Sequence, residues 1–262
     1  MMRISNVIIA FVCVAMIGCA ETQIQTEKLV QTDVKEGEKY LTLVKKLNAN
    51  LPETFTTGIS VKARINKKSF SSSGQIIYAT NPVAVKVRLN DVIFGSPVIE
   101  MLLADDVLKI YQPYNKTMNV CPWTENGNFK TLDFDPTTIS LVMLERVPVI
   151  AEGKVVKSYQ SETSSTYVVV LESREYSESI FFEGEYPVKV VIISKVTNAT
   201  YEADYSSPFT VEGFTFFGKV SAVSSASGNS FAIEYKNTKV NQPVDRLKSF
   251  KLNVPEDTKI IE

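Results

Sequence analysis

From Ile59 to Ile65 every second residue is apolar: Ile59, Val61, Ala63 and Ile65 alternate with Ser60, Lys62 and Arg64. A period of two is met by one local structure, an extended strand with one face buried and the other wet. The pattern recurs down the chain. In residues 69–79, Phe70, Ser72, Gly74, Ile76 and Tyr78 point one way, and Asn66-Lys67-Lys68 before them is a hairpin-length connection. Asn81-Pro82 breaks that strand. Val83, Val85, Val87 and Leu89 then alternate with Ala84, Lys86, Arg88 and Asn90. Strands at 98–104 and 107–111 join at Asp105-Asp106, and 117–120 adds an edge piece. Further strands are expected at 165–172, 179–183, 188–195, 199–205, 209–224 and 230–235. Lys189 and the charges at Arg174, Glu175 and Glu178 read as hairpin edges, and residues 239–262 as a last strand or strap. Long alternating strands linked by tight turns form an antiparallel meander.

Two helices interrupt the strands. In residues 35–49, Tyr40, Leu41, Val44 and Leu47, with Leu43, fall on one face at helical spacing, and residues 48–52 supply the stop. Asp135 caps a second helix with Pro136 in its first position; Ile139, Val142, Met143 and Val147 share a face and Pro148 ends it. An antiparallel sheet with one continuous apolar face must cover that face, and two short helices cannot cover ten strands. The expected fold is α+β and mostly β: an antiparallel half-barrel of ten or more strands, with short helices over the concave face.

Composition removes whole classes of function. The chain has no histidine, which excludes Ser-His-Asp and Cys-His catalysis and nearly every transition-metal site. It has no GxGxxG and no GxxxxGK[ST] loop for phosphates. Net charge is −1 with no basic block, which argues against nucleic acid. The acids are scattered over strands and turns, where solvated faces account for them, so carboxylate-only hydrolysis has little to recommend it. No enzyme activity, cofactor or metal is expected.

The amino terminus is of another kind. Met1-Met2-Arg3 precedes an apolar run over residues 4–17, too short to span a bilayer but long enough for an export signal. It ends in Met16-Ile17-Gly18-Cys19, which resembles the lipobox of bacterial lipoproteins, with Met16 where Leu is usual. The resemblance implies cleavage before Cys19 and lipidation of its thiol. Residues 20–39 are polar and charged, the composition of a flexible leash. The expected organisation is a signal at 1–18, a tether at 19–34 and one domain at 35–262. Two or more acyl chains on Cys19 make an effectively permanent anchor. Cys13 leaves with the signal, so Cys121 stands without a disulfide partner and reads as a small loop residue.

The order of tether, amphipathic helix, antiparallel strands, the Leu103–Tyr111 hairpin, the Asp135-Pro136 helix and more strands is similar to that of the LolA/LolB-like superfamily of envelope lipoprotein carriers. The ending Val240-Asn241-Gln242-Pro243-Val244-Asp245 with Phe250-Lys251-Leu252-Asn253-Val254-Pro255 completes the likeness. That resemblance implies a hollow holding acyl chains such as palmitate, and transfer of lipid or lipoprotein without chemistry. The inward wall would consist of Ile59, Val61, Ile65, Ile76, Tyr78, Val85, Val87, Leu89, Leu102, Val169, Leu171, Val190, Ile192, Phe214, Phe216, Phe231 and Ile233. An exposed apolar loop that enters the bilayer would be Val92-Ile93-Phe94, beside Gly95 and Pro97. The expected partners are acyl chains of lipids or lipoproteins, the membrane through Cys19, and a periplasmic carrier protein. Ala20 in place of an Asp after the lipidated cysteine points to the outer membrane, facing the periplasm. The alternative is a lipid-anchored structural or interaction module whose hollow is filled by its own side chains.

Overall fold

The computed structural model describes residues 28–122 and 143–261. The expected export signal, Cys19, most of the expected tether and the stretch Asp135–Val142 of the expected second helix lie outside the described residues. Chain order is β1 Leu29–Thr32, α1 Val34–Ala49, β2 Thr54–Ile65, β3 Lys68–Ala79, β4 Ala84–Asp91, β5 Pro97–Ala104, β6 Val107–Gln112 and β7 Thr117–Pro122. It continues with β8 Lys154–Ser161, β9 Thr166–Glu172, β10 Tyr176–Glu183, β11 Tyr186–Ser194, β12 Thr200–Val211, β13 Phe214–Ser224 and β14 Ser230–Val240, then α2 Arg246–Ser249 and β15 Lys259–Ile261. The strands form one 15-stranded sheet in the order β1-β8-β9-β10-β11-β12-β13-β14-β2-β3-β4-β5-β6-β7-β15. This is the mostly-β open curled sheet expected from the alternation.

The sheet is two meanders joined edge to edge. Hairpins link β2 through β7, and a second set links β8 through β14; β14 then pairs antiparallel with β2. The turns follow the chemistry of tight hairpins. Asn66-Lys67 and Asp105-Asp106 both hold positive φ at their two central residues, which matches the strand twist. Gly74 lies where β3 and β4 come together: a Cβ there would meet the Arg88 carbonyl oxygen at 1.9 Å.

Helix α1 starts where Asp33 Oδ1 accepts the Lys35 N–H at 2.8 Å, a side-chain N-cap. Its buried face, Leu41 and Val44, joins the core over the second meander. Gly37 lets the helix lie against β8, since a Cβ there would meet Val155 Cγ1 at 2.9 Å and Ser158 Cβ at 3.0 Å. Tyr40 stacks on Tyr167 of β9 with ring centroids 4.0 Å apart.

Three expectations need revision. Residues 29–32, read as tether, form β1 against β8, with Leu29 opposite Ser161 and Thr32 opposite Ser158. The fold therefore begins several residues earlier than 35. The run 209–224 is not one strand but the end of β12, a turn at Glu212-Gly213 with φ of 50° and 84°, and β13. The tail is both strap and strand: the Lys86 ammonium donates to Lys251 O at 2.5 Å, Arg246 donates to Pro82 O, and β15 pairs parallel with β7.

Candidate functional site

The ladder register decides which side chains share the concave face. Ile233 of β14 faces Val61 of β2; Ile76 of β3 faces Val87 of β4, which faces Met101 of β5. In the other meander Val169 faces Ile180, which faces Val190, and Ile192 faces Tyr201. These residues belong to one buried cluster with Leu41 and Val44 of α1 and with Met143, Leu144, Val147 and Ile150 of the segment before β8.

Of the wall residues read from the sequence, Ile59, Val61, Ile76, Tyr78, Val85, Val87, Leu89, Val169, Leu171, Val190, Ile192, Phe216 and Ile233 are buried in that cluster. Phe214 and Phe231 are half-buried at its margin. Ile65, at the tip of the β2–β3 hairpin, is 43% exposed and contributes no enclosed wall. Leu102 faces the other way. It pairs with Lys86 and Lys109, so its side chain is on the outer face under the C-terminal strap, and Met101 and Leu103 take the inward positions. A one-residue shift in phase swaps every side chain between faces, and four successive apolar residues in β5 hide the phase. Phe55, Leu108, Phe182, Tyr201 and Phe217 are further buried wall residues; their strands were recognised only in part.

Two open clefts lie outside this wall. One of about 650 Å³ is bordered by Lys62, Arg64, Phe70, Asp204, Val223 and Phe231. The other, about 590 Å³, lies between the end of α1 and Tyr186-Pro187. Phe231 alone of the expected wall residues borders either. The buried wall residues belong to one apolar cluster among the described residues.

Two acids sit in this apolar interior. Glu178 of β10 faces Leu171 and Ile192 on the neighbouring strands and is fully buried, not at a hairpin edge, whereas Arg174 and Glu175 do lie exposed in the β9–β10 turn. Its Oε2 accepts the Ile150 N–H at 2.9 Å. Glu145, also buried, accepts the Phe217 N–H through Oε2. That amide lies beyond the β13–β14 ladder, which ends at Lys219, so the carboxyl fills a seam in the sheet. The Oε1 atom of each acid has no hydrogen-bond partner. Burial pushes both carboxyls from the ordinary 4.5 up to about 8, each opposed only by its backbone hydrogen bond. Burial likewise raises the hydroxyls of Tyr205 and Tyr235, which lie near these acids. Nothing in the composition marks two acids among 29 as buried; the one sequence clue is that Glu178 sits in phase with Ile180.

The loop Val92-Ile93-Phe94 is a built turn. Asp91 Oδ1 accepts the N–H of Ile93 at 2.9 Å and of Phe94 at 2.8 Å, and Gly95 closes the turn with φ of 67°. The geometry leaves Ile93 82% and Phe94 83% exposed. Tyr114 on the β6–β7 turn and Val196 on the β11–β12 turn are exposed at the same end of the sheet. Cys121 lies on β7, its Sγ 3.6 Å from Leu108 O, and partial burial raises its thiol. Among the described residues no cluster of His, Cys, Asp and Glu could hold a metal ion.

A single sheet, antiparallel except at β15, open at both edges and curled around a continuous apolar face with a helix laid inside it, defines a class of fold. No protein-family model and no curated protein matches the sequence. Solved structures match its fold. A DUF1329 family protein from Desulfovibrio piger is 10% identical with a TM-score of 0.59, covering 82% of this chain and 96% of its own. A domain assigned to outer membrane lipoprotein sorting, from Vibrio parahaemolyticus, is 9% identical with a TM-score of 0.58, covering 82% and 96%. A LolA superfamily protein from Nitrosomonas europaea is 11% identical with a TM-score of 0.55, covering 81% and 97%. The chain has the fold of the LolA-superfamily and DUF1329 proteins, and the likeness is one of fold.

Proposed function

We propose that this protein is a lipid-anchored envelope protein that binds acyl chains of lipids or lipoproteins along its concave face and takes part in their transfer at the outer membrane. The observation that carries the reading is the continuous apolar face running through both meanders, from Val169 to Leu108, in a sheet that does not close on itself. A closed barrel of fixed radius could not widen for a ligand, whereas an open sheet can flex at its seam and edges. Burying one methylene is worth about 0.8 kcal/mol, so a 16-carbon chain stands for on the order of 10 kcal/mol, and a carrier wall must offer a comparable surface. The turn at Asp91–Gly95, presenting Ile93 and Phe94 to solvent, supports contact with a bilayer. Cys19 would hold the protein there. The nine residues 20–28 can reach about 30 Å when extended, close to the length of β8, so either end of the sheet can rest on the membrane.

A second reading is favoured by a specific observation: wall side chains such as Ile76, Val169, Ile180 and Val190 are fully buried within one apolar cluster. On that reading the chain is an interaction module of the envelope, and the apolar face is simply its core.

Mass spectrometry of what co-purifies with an exported Cys19→Ala form separates the two. A stoichiometric lipid or acylated peptide is the expected result. No bound lipid, together with no rise in melting temperature on adding lipids, rejects the carrier reading in favour of the interaction module.

A further inference from the structure

Segment 143–150 lies on the concave face between α1 and the second meander, and its apolar residues Met143, Leu144, Val147 and Ile150 are part of the core. Its polar attachments are few and well defined. Asn48 of α1 clamps both backbone polar groups of Val147, donating from Nδ2 to the carbonyl at 2.7 Å and accepting the N–H on Oδ1 at 3.0 Å. The Tyr205 hydroxyl of β12 donates to Arg146 O at 3.2 Å. The other two attachments are carboxyls: Glu145 of the segment reaches the Phe217 amide, and Glu178 of the sheet receives the Ile150 amide. Each carboxyl keeps one buried oxygen without a protein partner, and neither forms an ion pair with a described cation.

We infer that segment 143–150 is a proton-dependent latch, closed over the concave face while Glu145 and Glu178 hold their protons and released when either loses one. The physical reason is desolvation. A neutral acid with one accepted hydrogen bond rests in an apolar wall at modest cost, but a carboxylate there with an empty oxygen is far better off in water. Glu145 rides on the latch, so its ionisation draws the segment outward and takes Met143 and Leu144 off the wall. Glu178 stays on β10, so its ionisation requires water where Ile150 now sits. The groups facing them do not compensate. Tyr205 of β12 lies near Glu178 and Tyr235 of β14 near Glu145, with Tyr201 one strand beyond Ile192 from Glu178, and burial keeps Tyr205 and Tyr235 neutral. Asp204 acts on Tyr205 from the outer face, α1 presents Asn48, and β13 presents only a backbone amide. Arg146, the charged residue of the segment itself, is next in sequence to Glu145. Opening the latch would expose wall that the closed state fills with its own side chains. The identity of the ligand admitted rests on the acyl-binding reading above; the latch itself does not.

Hydrogen-exchange mass spectrometry from pH 6 to pH 8 tests the latch on the soluble Cys19→Ala protein. Protection factors, corrected for the intrinsic pH dependence of exchange, are read for peptides over 143–150, with β11 as internal reference. Each acid titrating between 4.5 and about 8 contributes up to about tenfold in opening per pH unit. Protection over 143–150 is therefore expected to fall at least about tenfold from pH 6 to pH 8 while β11 holds. In the Glu145→Gln/Glu178→Gln double variant, whose amides mimic the neutral acids, protection should not change with pH. A flat profile in the wild type, or an equal fall in the double variant, overturns the latch. Should the double variant lose its fold, the single variants serve, each expected to halve the logarithmic slope. A second arm follows association of fluorescent palmitoyl lysophosphatidylcholine, whose headgroup does not titrate in this range. Faster association at pH 8 than at pH 6, abolished in the double variant, is expected. Binding at a rate independent of pH overturns the gating role. No binding at any pH, with exchange as expected, rejects the acyl-binding reading and leaves the latch standing.

Discussion

Glu178 has Leu171 on one neighbouring strand and Ile192 on the other, and Glu145 has the edge of β13; neither forms an ion pair with a described cation. Both carboxyls are raised from 4.5 to about 8 by burial, so in that window the folded chain keeps two protons that the unfolded chain gives up. Their contribution to stability is complete below pH 4.5, declines as pH rises, and is gone above about 8. The slope is at most about 1.4 kcal/mol per pH unit for each acid. The melting temperature is thus expected to fall between pH 5 and pH 8. Glu178→Gln should flatten that profile and melt above the wild type at pH 8, which calorimetry across the range would show. These two acids were the least legible part of the site. Their strand phase is visible in the sequence at Glu178, but the local charge density around Arg174 and Glu175 argues for a solvated turn, and only the cross-strand register overrules it.

At the scale of elements, α1 ties together parts that are far apart in the chain. Asn48 replaces the water that both backbone polar groups of Val147 would otherwise bind, and Asn50 Nδ2 donates to Gly213 O at 3.2 Å. Removing the clamp with Asn48→Ala leaves a part-buried donor and acceptor unmet and is expected to cost about 2–4 kcal/mol in urea denaturation. Asn48→Asp, which keeps the acceptor, should fall between the two. The helix itself was legible because its apolar spacing is strong, as were the hairpins at Asn66-Lys67 and Asp105-Asp106. Strand β8 was not. Lys154, Lys157 and Gln160 interrupt its pattern, and its register with β9 shifts between Val155 and Lys157, so the alternation that reveals other strands is broken. The turn at Glu212-Gly213 was hidden because apolar residues continue on both sides of it. Where charged residues alternate with apolar ones, as in β2 and β4, the alternation marks the buried side chains Ile59, Val61, Val85 and Val87. At Leu102 they do not alternate, and the phase is not visible in the sequence.

For the molecule as a whole, the exposed apolar tips at one end of the sheet make a prediction separate from the core. Burying Phe94 and Ile93 in a bilayer is worth about 1.5–3 kcal/mol each. Ile93→Ser/Phe94→Ser in the soluble Cys19→Ala form should lower vesicle co-sedimentation by at least about tenfold. Its melting temperature should not move, because both side chains are already in solvent. Loss of vesicle binding with no thermal change would mark the turn as a membrane contact; unchanged binding would remove it from that role. The edges of the sheet carry a different lesson. The first strand, β1, seals the outer edge of the C-terminal meander by pairing with β8, and the last, β15, seals the outer edge of the N-terminal meander by pairing with β7. In the strand order the halves join where β14 pairs with β2, and partners such as Ile233 and Val61 are far apart in sequence. Hairpins form fast because their contacts are local, whereas pairings across long stretches of chain are slow. Each meander can therefore assemble early, but neither is finished until the other supplies its border, and the slow step in folding falls at the β14–β2 junction.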